Sequence, residues 1–303
     1  MGALAPDSVR ASVEPREPPL IERAVVTNGA QPNVIRADNR RDGGDRLGAR
    51  TQPGSRTEAP PHRDPGVLDI QLRRLRQHNI ITPDTDRTPI AESFRRIKRH
   101  FLANAAKPGN GAPCNLVMIT SALPGEGKTF CAINLAISIA LEMDRTVLLV
   151  DADTVRPSVL PALGLDAGLP GLMDLLGERS IDVADVMHST SIEKLSILPA
   201  GTPHRHATEM LASETMHALI RELADRYDDR IVIFDSPPLL VSSEAAVLAT
   251  HMSQIVMVVA AGETTESALK DALKRIEGCA AVGLLLNKGR ASSAGYYGYD
   301  GYS

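Results

Sequence analysis

From Asn115 onward, short runs dense in Val, Ile and Leu alternate with stretches of helical spacing, and no other property of the chain restricts its fold as much. The runs are NLVMIT (115–120), TVLLVD (146–151), KLSILPA (194–200), RIVIFD (230–235), QIVMVVA (254–260) and AVGLLLN (281–287). Helical spacing fills 127–142, pieces between 170 and 188, then 207–225, 242–250 and 265–277. A strand that is apolar at nearly every position is buried on both faces, so six of them separated by helices give a parallel sheet covered on both sides. The longest apolar run, Ile255 to Ala261, is far shorter than the about 20 residues a membrane-spanning helix needs.

The segments around this block differ in composition. Residues 1–65 hold nine of the 21 prolines, six glycines, no aromatic residue and only ten Leu, Ile, Val or Phe, too little apolar surface to offset the entropy of ordering. They read as a disordered Pro/Arg-rich arm. The amino terminus shows no apolar signal segment, and Pro6 stands where a myristoylation motif needs Ser or Thr. Cys114, Cys131 and Cys279 follow no metal-ligand spacing and sit among apolar neighbours, the pattern of core thiols in a reducing compartment. A cytoplasmic location is expected. Formal charge is +1 over residues 1–65, +5 over 66–112 and −10 over the remainder, which sum to −4. A basic collar therefore precedes an acidic body. The body lacks the basic, aromatic-interleaved character of a nucleic-acid binder. The collar suits an acidic neighbour, an anionic membrane surface or plain solvation of a helix face.

Within the collar, Leu68, Leu72 and Leu75 recur at helical spacing; after the break TPDTDRTP, a second helix is marked by Ile90, Phe94, Ile97 and Phe101. At the other end, residues 289–303 read GRASSAGYYGYDGYS, too rich in Gly and Ser to pack, yet they carry four of the five tyrosines: Tyr296, Tyr297, Tyr299 and Tyr302.

Residues 121–129, SALPGEGKT, follow the first strand and open a helix near Gly127, the setting of a phosphate-binding P-loop. Backbone N–H groups and the helix terminus converge on phosphate, Lys128 reaches its outer oxygens, and the Thr129 hydroxyl can ligate magnesium. The first motif position is Ala122 where Gly is usual, but Pro124 and Gly125 still supply the turn. Asp151 and Asp153 follow at the tip of TVLLVD, beside Arg156, and Asp235 ends RIVIFD; strand tips in an open parallel sheet face the ligand crevice. An aspartate after four apolar residues is the expected metal-holding Walker B element. Partition and division-site ATPases place an additional lysine early in this loop, where Ser121, Ala122 and Leu123 stand here. The expected fold is α/β: a P-loop NTPase-like, mostly parallel sheet with helices on both faces over residues 113–288. It is preceded by the arm (1–65) and two short helices in the collar (66–112), and followed by a flexible tyrosine-cluster tail (289–303).

Taken together, SALPGEGKT, LLVDADTVR, IVIFDSPP and the terminal tyrosines resemble the bacterial tyrosine kinases, P-loop enzymes unrelated to the eukaryotic protein-kinase fold. The likeness covers about residues 85–303 and is strongest to the cytoplasmic autokinases of exosortase-associated exopolysaccharide systems. It implies that Pro124, Gly125, Glu126, Gly127, Lys128, Thr129 and Phe130 bind ATP. Thr129, Asp151 and Asp235 would hold Mg2+; Lys128, Asp151, Asp153 and Asp235 would be catalytic, with Asp153 orienting or accepting the tyrosine proton. Tyr296, Tyr297, Tyr299 and Tyr302 would be the phosphate acceptors. An oligomerisation motif is implied at Glu92, Arg95 and Lys98, with lysine where the family has arginine, whose forked geometry it does not reproduce. The implied partners are further copies of this chain, a membrane-embedded activator of the chain-length-determinant (co-polymerase) type and a tyrosine phosphatase, with no nucleic acid. The implied role is regulation of exopolysaccharide polymerisation and export, with recruitment to the inner face of the plasma membrane. Two other readings stay open: a partition-type (MinD-like) switching ATPase, and a non-catalytic ATP-binding scaffold of an export complex. His204 and His206 read as loop residues, and Asn287 with Lys288 could flank the adenine.

Overall fold

The computed structural model describes residues 24–27, 66–84, 88–105, 115–178, 180–226, 229–279 and 281–289. The tail tyrosines and Cys114 lie outside the described residues, as does the amino-terminal arm apart from residues 24–27. The strands are β1 (Ala24–Thr27), β2 (Val67–Leu68), β3 (Leu116–Ser121), β4 (Thr146–Asp151), β5 (His188–Thr190), β6 (Leu195–Leu198), β7 (Arg230–Asp235), β8 (Gln254–Ala260) and β9 (Val282–Gly289). They form one sheet in the order β1-β9-β8-β3-β7-β4-β6-β5-β2, parallel throughout except between β5 and β6. All six expected strands are present, as β3, β4, β6, β7, β8 and β9. After β3 the chain runs outward through β4 and β6, then returns to insert β7 between β3 and β4, which sets three strand tips side by side. That reversal of direction opens a crevice beyond the carboxyl ends of the strands.

The helices are α1 (Leu72–Gln77), α2 (Pro89–Ala105), α3 (Lys128–Ala140), α4 (Val159–Leu163), α5 (Leu172–Gly177), α6 (Val183–Val186), α7 (Ala207–Leu211), α8 (Glu214–Asp225), α9 (Ser243–Ala249) and α10 (Glu266–Lys274). They divide between two cores because successive strand residues point to opposite faces. Val117, Ile119, Val147, Leu149, Ile231 and Ile233 pack with α1 to α4. Met118, Leu148, Val150, Val232 and Phe234 pack with α5 to α10. Both faces are therefore covered, as the apolar runs require. No helix among the described residues is long and apolar enough to cross a membrane.

The collar departs from expectation at one point: Leu68 belongs to β2, and α1 starts only at Leu72. Ser191 explains the break, since its hydroxyl accepts from Ile70 N at 2.8 Å while its own N–H donates to Leu68 O at 2.9 Å. These bonds occupy the Leu68 carbonyl and the Ile70 N–H, two groups that a helical turn through Leu68 would need.

The collar is held to α3 by polar groups four residues apart. Asn134 Oδ1 accepts from Ile81 N at 2.9 Å, and Lys98 Nζ donates to Ser138 O at 2.8 Å while pairing with Glu142 Oε1 at 2.5 Å. Lys98, named above as an oligomerisation residue, is thus buried against the carboxyl end of α3, whereas Glu92 and Arg95 pair with each other at the surface, 2.7 Å apart. Removing the amine should strand a buried carbonyl. Lys98→Met is expected to lower stability by about 1–3 kcal/mol in urea unfolding, and Arg95→Met by no more than about 0.5 kcal/mol. Equal midpoints for the two variants would show that the clasp contributes nothing.

Candidate active site

Residues 122–127 turn between β3 and α3, and two glycines in left-handed conformations make the turn possible: Gly125 at φ 85° and Gly127 at φ 96°. Gly127 disfavours a side chain for a second reason, since a Cβ there would run into the amide of Asn287 and force it to move. That amide donates to Glu126 O at 2.9 Å, so the end of β9 braces the loop from behind. Glu126 braces it again. Its buried carboxylate accepts from Leu123 N at 2.9 Å through Oε2 and from the Thr264 hydroxyl through Oε1. Its side chain is therefore spent inside the protein, and only backbone from this residue is left to meet a ligand. Phe130 is similar: its ring meets Phe94 edge-on at 6.4 Å between centroids, part of the α2–α3 contact.

Lys128 is the first residue of α3, with Gly127 as the residue that caps it. The first N–H groups of a 13-residue helix have no partners within it and carry its positive dipole end, a combination that favours an anion. The Lys128 ammonium bonds Asp153 Oδ2 at 2.8 Å. Thr129 Oγ1 donates to Asp235 Oδ2 at 2.6 Å and lies 2.7 Å from Ser158 Oγ, which is then the donor to it. Asp151 and Asp235 are direct partners in the β4–β7 register, and Ala152 N donates to Asp235 O at 2.8 Å. Lys128, Thr129, Asp151, Asp153 and Asp235 are all brought to one crevice, beside Pro124 to Gly127.

The three carboxylates are not equivalent. Asp151 accepts from Ser158 N and Val159 N, both at 2.9 Å, and from Asp153 N at 3.3 Å; much of its capacity is used to fold the loop after β4 over itself. Asp153 accepts from Arg156 N at 3.0 Å as well as from Lys128. Asp235 has one oxygen, Oδ1, that is buried and accepts no hydrogen bond from the described residues. A bare anionic oxygen in the interior is costly, which makes it the natural place for a cation. Its hard oxygen donors, Asp235 and the Thr129 hydroxyl, fit Mg2+, which is usually held by one or two carboxylates together with substrate phosphates. No group of three or more His, Cys, Asp or Glu closes around a metal position among the described residues.

Burial sets the electrostatics. It pushes the Asp151 and Asp235 carboxyls well above the usual aspartate range, and the charge of Asp235 adds to the shift at Asp151; Lys128 and the Thr129 hydroxyl oppose it at Asp235. For Lys128, burial works against the charge, but Asp235, Asp153 and Asp151 outweigh it and the ammonium is held above its ordinary value.

Two residues of the site went unread in the sequence. Ser158 carries a weak signal, a serine before an apolar helical turn, but its hydroxyl bonds Thr129 and caps nothing. Thr264 carries none: it meets Glu126 across 138 positions of chain, and its hydroxyl also accepts from Ala260 N at 2.9 Å. Asn287 lies behind the loop, and Lys288 pairs with Glu263 at 2.7 Å.

With this geometry in hand, the chain can be compared with known proteins. A family model described as an AAA domain matches residues 115–280. The chain is 31% identical over 227 residues to the tyrosine-protein kinase YwqD of Bacillus subtilis, covering 74% of this chain and 92% of that one. It is 28% identical to the tyrosine-protein kinase wzc of Salmonella typhimurium over 76% of this chain but only 31% of wzc, so it spans about a third of that relative. Among solved structures it is similar to the BceF tyrosine kinase domain, with a TM-score of 0.60, 26% identity and coverage of 74% of this chain and 92% of that domain.

The raised carboxyls give a prediction with a definite sign. A folded aspartate whose pKa lies above its unfolded value of about 3.9 binds more protons than the unfolded chain, so stability falls as pH climbs from the ordinary carboxylate range toward neutrality. In EDTA, the melting temperature should drop between pH 5.5 and pH 8. Asp235→Asn should melt higher than the unsubstituted protein at pH 8, with a flatter pH profile. Added Mg2+ should favour the unsubstituted protein alone. A variant that loses stability at pH 8 in EDTA would contradict the buried-charge assignment.

Proposed function

The chain belongs to the bacterial tyrosine-protein kinases, and from that premise we propose that it is an ATP- and Mg2+-dependent autokinase. Its acceptors are its own terminal tyrosines, Tyr296, Tyr297, Tyr299 and Tyr302, presented from one copy to another. The observation that carries the reading is the Lys128–Asp153 pair beside the open Oδ1 of Asp235, because it puts a cation, a potential base and a metal acceptor within one crevice.

The backbone of Pro124 to Thr129 and the start of α3 would bind the nucleotide phosphates. Lys128 has two claimants, Asp153 and the outer phosphate. While it pairs with Asp153, that carboxylate is occupied; once it turns to phosphate, Asp153 Oδ2 is freed to accept a proton. A tyrosine hydroxyl with a pKa of about 10 is a weak nucleophile at neutral pH, so a carboxylate at the site of attack matters. The phenolic oxygen bonds to the γ-phosphorus, the bond to the β-phosphate oxygen breaks, ADP departs, and the phenolic proton passes to Asp153. Mg2+ held by Thr129, Asp235 and the remaining lone pair of Asp151 would neutralise charge on the phosphates during transfer. Glu126, Asn287 and Ser158 act on the site only by holding its loops.

Assembly of copies through α2 would use the exposed Glu92 and Arg95, with Lys98 fixing the seat of the helix. A membrane-embedded activator, a tyrosine phosphatase and a role in exopolysaccharide polymerisation and export complete the proposal; the basic collar is the surface we assign to recruitment at the inner face of the membrane.

Incubation with ATP and Mg2+ followed by mass spectrometry of the terminal peptide tests the reading. Phosphate is expected on one or more of the four tyrosines, and Lys128→Ala should reduce its rate of appearance by about 10²-fold or more. Conversion of ATP to ADP with no phosphotyrosine would replace the kinase reading with the switching-ATPase one.

A further inference from the structure

The crevice has an apolar rim that none of the roles above uses. Among the described residues, six large apolar side chains stand exposed, and three of them follow the three strand tips that form the site: Leu123 (38% exposed) after β3, Val155 (63%) after β4 and Val241 (64%) after β7. The fold forces this arrangement. Leu239 N donates to Ser121 O at 2.8 Å and Leu240 N to Ala122 O at 3.2 Å, so the loop after β7 runs alongside the loop after β3, and Val241 follows directly on that paired stretch. After β4, the backbone N–H groups of Arg156, Ser158 and Val159 fold inward onto Asp153 and Asp151, which leaves Val155 turned outward. Since β3, β7 and β4 are consecutive in the sheet, the ledge is two strand spacings wide, about 10 Å. Pro124 and Pro157, both exposed, extend it.

We propose that Leu123, Val155 and Val241 form the acceptor-binding ledge of the enzyme, on which the tyrosine-rich tail of a second copy lays its rings while one hydroxyl enters beside Asp153. The inference deepens the kinase reading and rests on it. Aromatic residues make up only 3% of the chain, and four of its nine Phe and Tyr residues fall between 296 and 302, so no other segment of this sequence offers comparable aromatic surface. That segment holds one acidic residue and no basic one, so an acidic body repels it far less before phosphorylation than after.

The path of the chain favours a second copy over the same one. Its last described residue, Gly289, ends β9, four strand spacings or about 19 Å from β4. The seven residues to Tyr296 span at most about 25 Å when fully extended. A tail crossing to β4 within its own molecule would run over the loop that Asn287 braces, where the nucleotide phosphates must lie. A tail arriving from another copy meets no such obstacle.

The test uses full-length chains. The donor carries Tyr→Phe at positions 296, 297, 299 and 302, and the acceptor carries Lys128→Ala, so only transfer between copies is counted. Val155→Ser and Val241→Ser together in the donor should raise the KM for acceptor about tenfold or more, because neither position then offers apolar surface for a ring to cover. The KM for ATP should not move, and the same changes placed in the acceptor should have no effect. An unchanged acceptor KM would overturn the ledge and assign this surface to a different occupant. An equal rise in the KM for ATP would also overturn it, by showing that the substitutions disturb the phosphate loop. If the donor without rim substitutions transfers no phosphate at all, the kinase reading itself fails, and the ledge with it.

Discussion

Two buried aspartates at neighbouring strand tips, Asp151 and Asp235, face each other across one rung of a parallel sheet, and one lysine is positioned to offset them. Taking charges out of water costs several kcal/mol each unless hydrogen bonds and counter-charges compensate. The folded chain meets that cost differently at each position. Asp151 is held by three backbone N–H groups, Asp153 by Lys128 and one backbone N–H, and Asp235 by a hydroxyl on a single oxygen. The incompleteness at Asp235 leaves one carboxylate oxygen with no hydrogen bond from the described residues, and it is there that the proposed cation would bind. A site already satisfied internally would be more stable and less able to bind.

The sheet order explains how this crowding arises. Inserting β7 between β3 and β4 juxtaposes residues from positions 128, 151 and 235, and the loops that leave those tips carry both the polar floor and the apolar rim. Bracing comes from further away. Asn287 and Thr264 hold the phosphate loop from the β8–β9 side, while Phe94 and Lys98 anchor α3 from the collar side. The helix that presents Lys128 is thereby fixed at both ends before any ligand arrives, the preorganisation that electrostatic catalysis requires.

The parts of this arrangement legible in the sequence are those with a local period or a local motif. RIVIFD and TVLLVD announce doubly buried strands, and SALPGEGKT announces a turn whose backbone conformations only glycine tolerates at Gly125 and Gly127. The remainder depends on contacts that no window of sequence contains. Strands β1, β2 and β5 are two to four residues long, too short to show alternation, and exist because neighbouring strands offer them hydrogen bonds. Leu68 obeys helical spacing yet is extended, since Ser191, more than 120 residues away, holds the Leu68 carbonyl and the Ile70 N–H. Lys98 looks like a surface residue of a basic helix; the carbonyl that buries it belongs to Ser138. Glu126 reads as a phosphate-binding residue, yet its carboxylate serves the loop's own shape.

The account stands or falls on where Lys128 and the metal go when nucleotide is bound. A crystal structure with Mg2+ and a non-hydrolysable ATP analogue should show the metal bonded to Thr129 Oγ1, directly or through one water to Asp235 Oδ1, with Lys128 moved from Asp153 to the terminal phosphate. A nucleotide bound with the Lys128–Asp153 pair intact and Asp235 Oδ1 still without a partner would contradict it.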